Sequence, residues 1–323
     1  MSDTRAARPA LPLATAPTAT ALRTMRLIAG ITIIGPFAGT LLALLLGLRY
    51  GVSAAALGIF AVMFPLSALG ISLGFHRHFT HRGFRTSRPL SVILLILGSM
   101  AMQGSLLYWT ATHRRHHAFS DTEDDPHSPH HHGGAMLGWW QGLWHAHIGW
   151  MFDAEVTNAM RFAPDLIRDQ RLFRLQQHYL SWAALGLVIP AVAGLLLTGT
   201  AYGMLEGFLW GGPVRLLIVH HANWAVGSLS HLYGRRPFET GDHSANNMLV
   251  AIISFGEGLQ NNHHAFPTSA RHAIEWWEPD ITGWVIGGLE RLGLIWDVKH
   301  PSAEAISAHR RPAAPMPSEG SLS

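Results

Sequence analysis

Two pairs of long apolar runs, each joined by a link too short for anything but a hairpin, set the first limit on this chain. Leu27 to Leu48 and Val52 to Gly74 flank Arg49-Tyr50-Gly51, and Leu180 to Ala201 is separated from residues 203–228 by a few residues around Gly199 and Gly203. Each run matches the ~20 helical residues that cross a hydrocarbon core of about 30 Å. The first run is too long for a cleavable leader, and no small-x-small site follows it. The pattern predicts an all-α integral membrane protein with four transmembrane helices in two hairpins, over about 27–48, 52–74, 180–201 and 203–228.

Arginine placement orients these helices. Arg5, Arg8, Arg23 and Arg26 precede the first run, Arg77, Arg82, Arg85 and Arg88 follow the second, Arg161, Arg168, Arg171 and Arg174 precede the third, and Arg235 and Arg236 follow the fourth. The hairpin tips hold only Arg49. The positive-inside rule then puts both termini, and a cap made of residues 75–179 and 229–300, on the cytoplasmic side. Residues 90–109 form another apolar run. A single crossing there would separate the histidines before it from those after it, so it reads as a buried or interfacial helix of the cap. Residues 1–24 and 301–323 are rich in Ala, Pro, Ser and Thr and are expected to be disordered tails around a domain of 25–300.

Composition narrows the chemistry. Only 13% of residues are charged, against about 25% in soluble domains. There is no cysteine, which excludes disulfides, iron–sulfur clusters, thiolate metal sites and a cysteine nucleophile. Net charge is only +3, and the arginines lie beside apolar runs, so headgroups rather than nucleic acid are the expected partner. Arginine heavily outnumbers lysine, of which Lys299 is the sole example. With the Ala- and Gly-rich composition, that suggests a bacterial cytoplasmic membrane.

The 22 histidines cluster. His76-Arg-His-Phe-Thr-His81 ends the second run, His113-Arg-Arg-His116-His117 follows the apolar run, His231 lies just past the fourth, and Gln260-Asn-Asn-His263-His264 comes later. At about 100° per residue, His113, His116 and His117 share one helix face, as do Gln260, His263 and His264. His76 and His81 diverge by roughly 140° in an α-helix, so they meet only near a helix end or on neighbouring ions; His78 points elsewhere. Neutral imidazole suits iron, copper or zinc, and eight imidazoles exceed what one ion holds, so two metals are expected. Asp121, Asp124, Asp125, Glu239, Asp242 and Glu257 can accept from the far ring nitrogens, and Glu257, in an apolar stretch, is the best placed. The tract His127-Ser-Pro-His130-His131-His132 reads as a surface loop, His145 and His147 as satisfied core or interface groups, and His220 and His221 as cavity-lining.

On these residues the chain resembles the membrane fatty acid desaturases, most closely the acyl-CoA Δ9 (stearoyl-CoA) type, from about residue 27 to 299. HX4H, HXXHH and a terminal XXXHH appear in order, with NHHAFP after the third box and HLYGRRPF after the fourth run. The resemblance implies a four-span fold whose cytosolic cap holds a diiron centre. Its ligands here would be His76, His81, His113, His116, His117, His231, His263 and His264. Gln260 stands where the family has a ninth histidine, as a weaker ligand, and Gly227 replaces an asparagine that acts through water. Gln103, Trp109, Asn223 and Trp224 fall where the family pinches the acyl chain, Asn223 replacing a threonine. Ala111-Thr112 replaces an Arg-Asp pair that touches CoA, and Phe64 falls at the tunnel's blind end. The implied reaction is insertion of a cis double bond, at Δ9, into a saturated long-chain acyl-CoA. The implied cofactors are two iron ions cycling between Fe2+ and Fe3+, with O2 as co-substrate. No nicotinamide, flavin or fused cytochrome segment is evident, so a separate ferredoxin or cytochrome with its reductase would supply electrons, docking near Arg161 and Arg168. A diiron hydroxylase or alkane monooxygenase, a non-catalytic metal-binding or transport protein, and a haem electron carrier are the alternatives.

Overall fold

The computed structural model describes residues 11–312. A two-residue strand, β1 (Ala14–Thr15), leads into α1 (Ala19–Tyr50), which starts where the Thr18 hydroxyl accepts from the Ala21 N–H. Ser53 likewise caps α2 (Ala54–Leu69), which continues without interruption as a π-helix, Gly70–Thr80. After β2 (Arg85–Thr86) come α3 (Arg88–Met100) and α4 (Leu106–Phe119). A hairpin, β3 (His131–His132) with β4 (Ala135–Met136), precedes α5 (Trp139–His147), a 3-10 turn at Gly149–Phe152 and β5 (Val156–Thr157). Short helices α6 (Ala159–Phe162), α7 (Pro164–Arg168) and α8 (Gln170–Gln177) lead to α9 (Tyr179–Thr198). Next, α10 (Ala201–Leu209), a π-turn (Trp210–Val214) and α11 (Arg215–Gly227) form one unbroken helical stretch. The chain ends with α12 (Leu229–Leu232), α13 (Met248–Ile253), α14 (Gln260–Ala265), α15 (Ile281–Arg291), β6 (Ile295–Trp296) and α16 (Ala303–His309). The strands form three antiparallel ladders of two residues each, β1 with β5, β2 with β6 and β3 with β4.

Among the described residues, three helices are long and apolar enough to cross a membrane: Ala19–Tyr50, Ala54–Thr80 and Tyr179–Thr198. Their outward faces carry large aliphatic side chains, including Leu27, Ile34, Leu45 and Leu196. Such a belt is stable only against hydrocarbon. The stretch expected as the fourth span, 203–228, is helical over 201–227 but is not among these three. Its polar groups explain why. Arg215 is fully buried, donating to Ser67 Oγ at 2.8 Å and the Gly186 carbonyl at 3.0 Å, and buried Glu206 accepts from the Ser53 N–H at 3.1 Å. These bonds satisfy inside the bundle what lipid cannot.

The second hairpin closes through small residues. Gly199, left-handed at φ +67°, ends α9, and Thr200 caps α10. A Cβ on Gly194 would lie 2.0 Å from the Gly203 carbonyl oxygen, so the two backbones meet there directly.

Two expectations change. The apolar run 90–109 is not one helix: α3 stops at Met100, Met102 and Gly104 adopt φ of +57° and +95°, and Ser105 caps α4. The break separates α3 from α4, which carries His113 to His117. The tails expected at 1–24 and 301–323 contain ordered segments. β1 pairs with β5, α1 already begins at Ala19, and α16 lies in the second tail. Residues 1–10 and 313–323 fall outside the described part. Beneath the histidines, Phe75, Leu95, Leu106, Ala111, Ile286 and Ile295 pack into the main hydrophobic core. This core joins the π-helix, α3, α4, α15 and β6 into one support.

Candidate metal centre

The π-helix decides the first box. In its winding the N–H of residue i+5 returns to residue i, and the His81 N–H donates to the His76 carbonyl at 3.1 Å. Residues five apart are therefore nearly one turn apart, and the two rings that would diverge in an α-helix lie 4.7 Å between centroids. The second and third boxes keep helical spacing on α4 and α14. His231 comes from α12.

These pieces make two adjacent groups. In the first, His76, His81, His113, His117 and His263 converge. Their Nε2 atoms form a chain: His76 to His263 at 3.0 Å, His263 to His117 at 2.9 Å, His117 to His113 at 3.0 Å and His113 to His81 at 3.1 Å. Ligands at right angles on an ion with bonds of ~2.1 Å would be about 3.0 Å apart, so this spacing fits one first-row ion. In the second group, His116, His231 and His264 converge. His264 stacks 4.4 Å from His117, which joins the two groups.

Carboxylates hold the outer nitrogens. The His116 Nδ1–H donates to Asp125 at 2.9 Å, that of His231 to Asp121 at 3.1 Å and that of His264 to Asp242 at 2.5 Å, while His76 Nδ1 lies against the Glu257 carboxylate as an ion pair. Donation from Nδ1 leaves Nε2 as a lone pair facing inward. His116 Nε2, His231 Nε2 and Gln260 Oε1 are buried with no partner. Orphans of this kind are costly unless a cation occupies the space between them. Burial, together with neighbouring imidazoles, pushes His113, His117 and His263 well below the ordinary histidine range, which keeps them in the neutral, metal-binding form. Burial brings His264 down to about 4 despite Asp242. Burial opposes ionisation of Asp121, but His231 outweighs it and brings the carboxyl to about 2. The donors thus fall into two adjacent imidazole groups, each of which could hold a metal ion.

Of the acceptors anticipated, Asp121, Asp125, Asp242 and Glu257 take these roles. Asp124 is exposed and offers only its carbonyl, to Arg115, while Glu239 is exposed and pairs with Arg311 at 3.4 Å. Glu257 also receives Ser72 Oγ and the Arg77 guanidinium, which in turn pairs with Asp280 at 2.8 Å. Gln260 is buried, its Nε2 3.4 Å from His264 Nε2. His78 turns away to Ser91 Oγ at 2.9 Å.

Two imidazoles were not anticipated here. His127, expected in a surface loop, stacks on His116 at 4.4 Å, and its Nδ1 lies 3.8 Å from Asp125. A Cβ on Gly227 would come to 3.4 Å from this ring, so the His127 ring packs directly over position 227. His272 is buried against His263, 4.4 Å between rings, with Nδ1 3.9 Å from Glu257. The acidic residues just before His127 and the Glu278-Pro-Asp280 acids after His272 were the available hints. His220 and His221 do not face the cavity described next. The first pairs with the Ala101 carbonyl at 2.8 Å and the second with His147 at 3.0 Å.

A cavity of about 420 Å3 opens against both groups. Gln103, Trp109, Asn223 and Trp224 all line it, alongside His76, His113, His116, Glu257 and Gln260. Trp109 stacks on His113 at 4.9 Å, and Asn223 donates to Gln103 at 2.6 Å. Phe64 lies instead on a separate void of about 20 Å3 that shares Asn223 and Glu257 with the large cavity.

The family model for fatty acid desaturases matches residues 51–281. The chain is 45% identical to hex-5-enoyl-[acyl-carrier protein] acetylenase of Moorena producens, over 85% of this chain and 86% of that protein. It is 39% identical to an sn-1 stearoyl-lipid 9-desaturase of Anabaena variabilis, over 76% and 84%. With icosanoyl-CoA 5-desaturase of Limnanthes douglasii it shares 40% identity, over 74% of this chain but only 63% of the relative. Apolar helices, two imidazole groups backed by carboxylates and these likenesses agree: the chain belongs to the fatty acid desaturase family and is an oxidoreductase of that class.

Proposed function

We propose that this chain uses two iron ions and O2 to place a cis double bond at Δ9 of a saturated long-chain acyl-CoA. The observation that carries the reading is the pair of imidazole groups forming one wall of an apolar cavity that also holds Gln103, Trp109, Asn223 and Trp224. An unactivated methylene C–H is too strong for acid–base groups, and iron with O2 supplies the missing oxidising power. The protein's own residues do the rest. Eight histidines would hold the ions, with Gln260 as a weak ninth ligand, and four carboxylates keep their inner nitrogens unprotonated. Trp109 and the Gln103–Asn223 pair narrow the cavity beside the imidazoles, which orients one methylene pair, while the apolar wall excludes water.

Around this site we propose four membrane crossings with both termini and the metal centre on the cytoplasmic side of a bacterial membrane, as the arginine distribution supports. A separate ferredoxin or cytochrome, reloaded by its reductase, supplies electrons. The exposed Arg161 and Arg168 offer an acidic carrier a docking face.

The test is expression in a host lacking unsaturated lipids, with mass spectrometry of double-bond position, followed by turnover of the purified enzyme on CoA-, acyl-carrier-protein- and lipid-linked chains. A Δ9 alkene made from the CoA ester bears the proposal out. Another position or carrier overturns that part of it, and an alcohol shows a hydroxylase. An alkyne would favour the second reading that the 45% identity to an acetylenase supports, dehydrogenation of a chain already unsaturated.

A further inference from the structure

Outside the two imidazole groups, His132, His145 and Asp153 form a third converging set. His132 sits on β3, His145 on α5, and Asp153 ends the 3-10 turn. His145 Nδ1 lies 2.8 Å from the Ser128 carbonyl, which can only accept, so this nitrogen carries the proton. The lone pair of His145 Nε2 then faces Asp153 Oδ2 at 3.4 Å, while His132 Nε2 faces the other carboxylate oxygen at 3.6 Å. The two rings are 4.0 Å apart.

A lone pair aimed at a carboxylate is repulsive unless a positive charge lies between them. A proton is one answer: burial opposes charge on His145, but Asp153 and the Ser128 carbonyl prevail and raise it above the ordinary value. The contact with Asp153 is within hydrogen-bond reach, and the spacing also accommodates a second answer. Ligands arranged tetrahedrally at ~2.1 Å from zinc lie about 3.4 Å from one another. A direct charge-assisted hydrogen bond would instead close to about 2.7–2.9 Å.

We propose that His132, His145 and Asp153 bind a zinc ion, with water as the fourth ligand, separate from the proposed iron centre. The ion staples the β3–β4 hairpin to α5 and the following turn. That matters for the neighbouring site. The stapled segment runs back through Ser128 to His127 and Asp125, the carboxylate partner of His116, and forward through Ala146, Trp150 and Met151, which line the cavity. The inference does not depend on the reaction catalysed.

The test uses full-length, detergent-solubilised protein carrying no affinity histidines, stripped of metal, reloaded with iron and titrated with zinc. Elemental analysis should show one more tightly held zinc in the wild type than in His132→Ala or Asp153→Asn, at equal iron content. Zinc should raise the melting temperature and slow proteolysis within 131–136 in the wild type alone. His132 is half-exposed, so its loss leaves a folded protein in which the comparison is meaningful. Equal zinc content in the wild type and both variants, or zinc bound only at millimolar concentration, overturns the proposal.

Discussion

Replacing Glu257 with glutamine changes one atom's hydrogen-bonding role at the back of the first imidazole group. Glu257 Oε1 receives Ser72 and, at 2.9 and 3.1 Å, two donors of Arg77, while Oε2 stands against His76 Nδ1. A glutamine carbonyl can keep the Ser72 and Arg77 contacts. Its NH2 group then stands opposite His76 Nδ1, donor against donor. The only remedy is for His76 to move its proton to Nε2, the nitrogen that faces His263 at 3.0 Å, and a protonated Nε2 cannot bind metal. Loss of such a ligand's carboxylate partner costs about 10–100-fold in metal affinity, and a buried unpaired donor costs about 1–3 kcal/mol of stability. Arg77 remains neutralised by Asp280, through bonds of 3.0 and 2.8 Å, so the fold should survive. Chelator competition read by elemental analysis, with a melting curve on the same sample, separates the two effects. Unchanged metal affinity in folded Glu257→Gln would refute the tautomer argument.

Three other substitutions test separate parts of the structure. Gln260→His should keep or increase bound iron and Gln260→Ala should lower it, measured as iron per chain; no change in either would leave Gln260 a packing residue. Asp165 binds Arg114 at 2.6 Å and also Arg82; burial opposes its charge, yet the two arginines bring it down to about 2. A depressed carboxylate stabilises the fold above the unfolded value near 4, and that contribution fades as pH falls from 4 toward 2. After discounting for solvent screening, Asp165→Asn should cost about 1 kcal/mol at neutral pH and only a small fraction of that near pH 2, by chemical denaturation at each pH. Gly194→Val places side-chain carbon against the Gly203 carbonyl, where a Cβ alone would be 2.0 Å away, so the α9–α10 hairpin must splay. Its melting temperature should fall by several degrees, whereas Gly35→Val, with open space around it, should change little.

Much of this molecule was legible in the order of its residues. Apolar length, arginine placement and the lack of cysteine pointed to helices in lipid and to imidazole as the metal donor, because these depend on composition and local periodicity. His113, His116 and His117 could be placed on one face by helical spacing, and Glu257 could be singled out because a lone acid in an apolar stretch needs a partner. What periodicity could not supply was any departure from it. The π-winding that aligns His76 with His81 begins at Gly70, which also packs directly on the backbone of Leu97, a contact between separate helices. The break at Met102 and Gly104 is likewise a departure from periodicity, and beyond it Leu106 and Ala111 of α4 pack into the main core. His127 read as part of a surface loop and His272 was not singled out, since their neighbours at the site lie on other segments of the chain. The sequence alone therefore pointed to apolar surroundings for the helices and to most of the imidazoles that gather in the two groups. Tertiary packing decided which rings face one another and the shape of the cavity beside them, because both depend on contacts between segments remote along the chain.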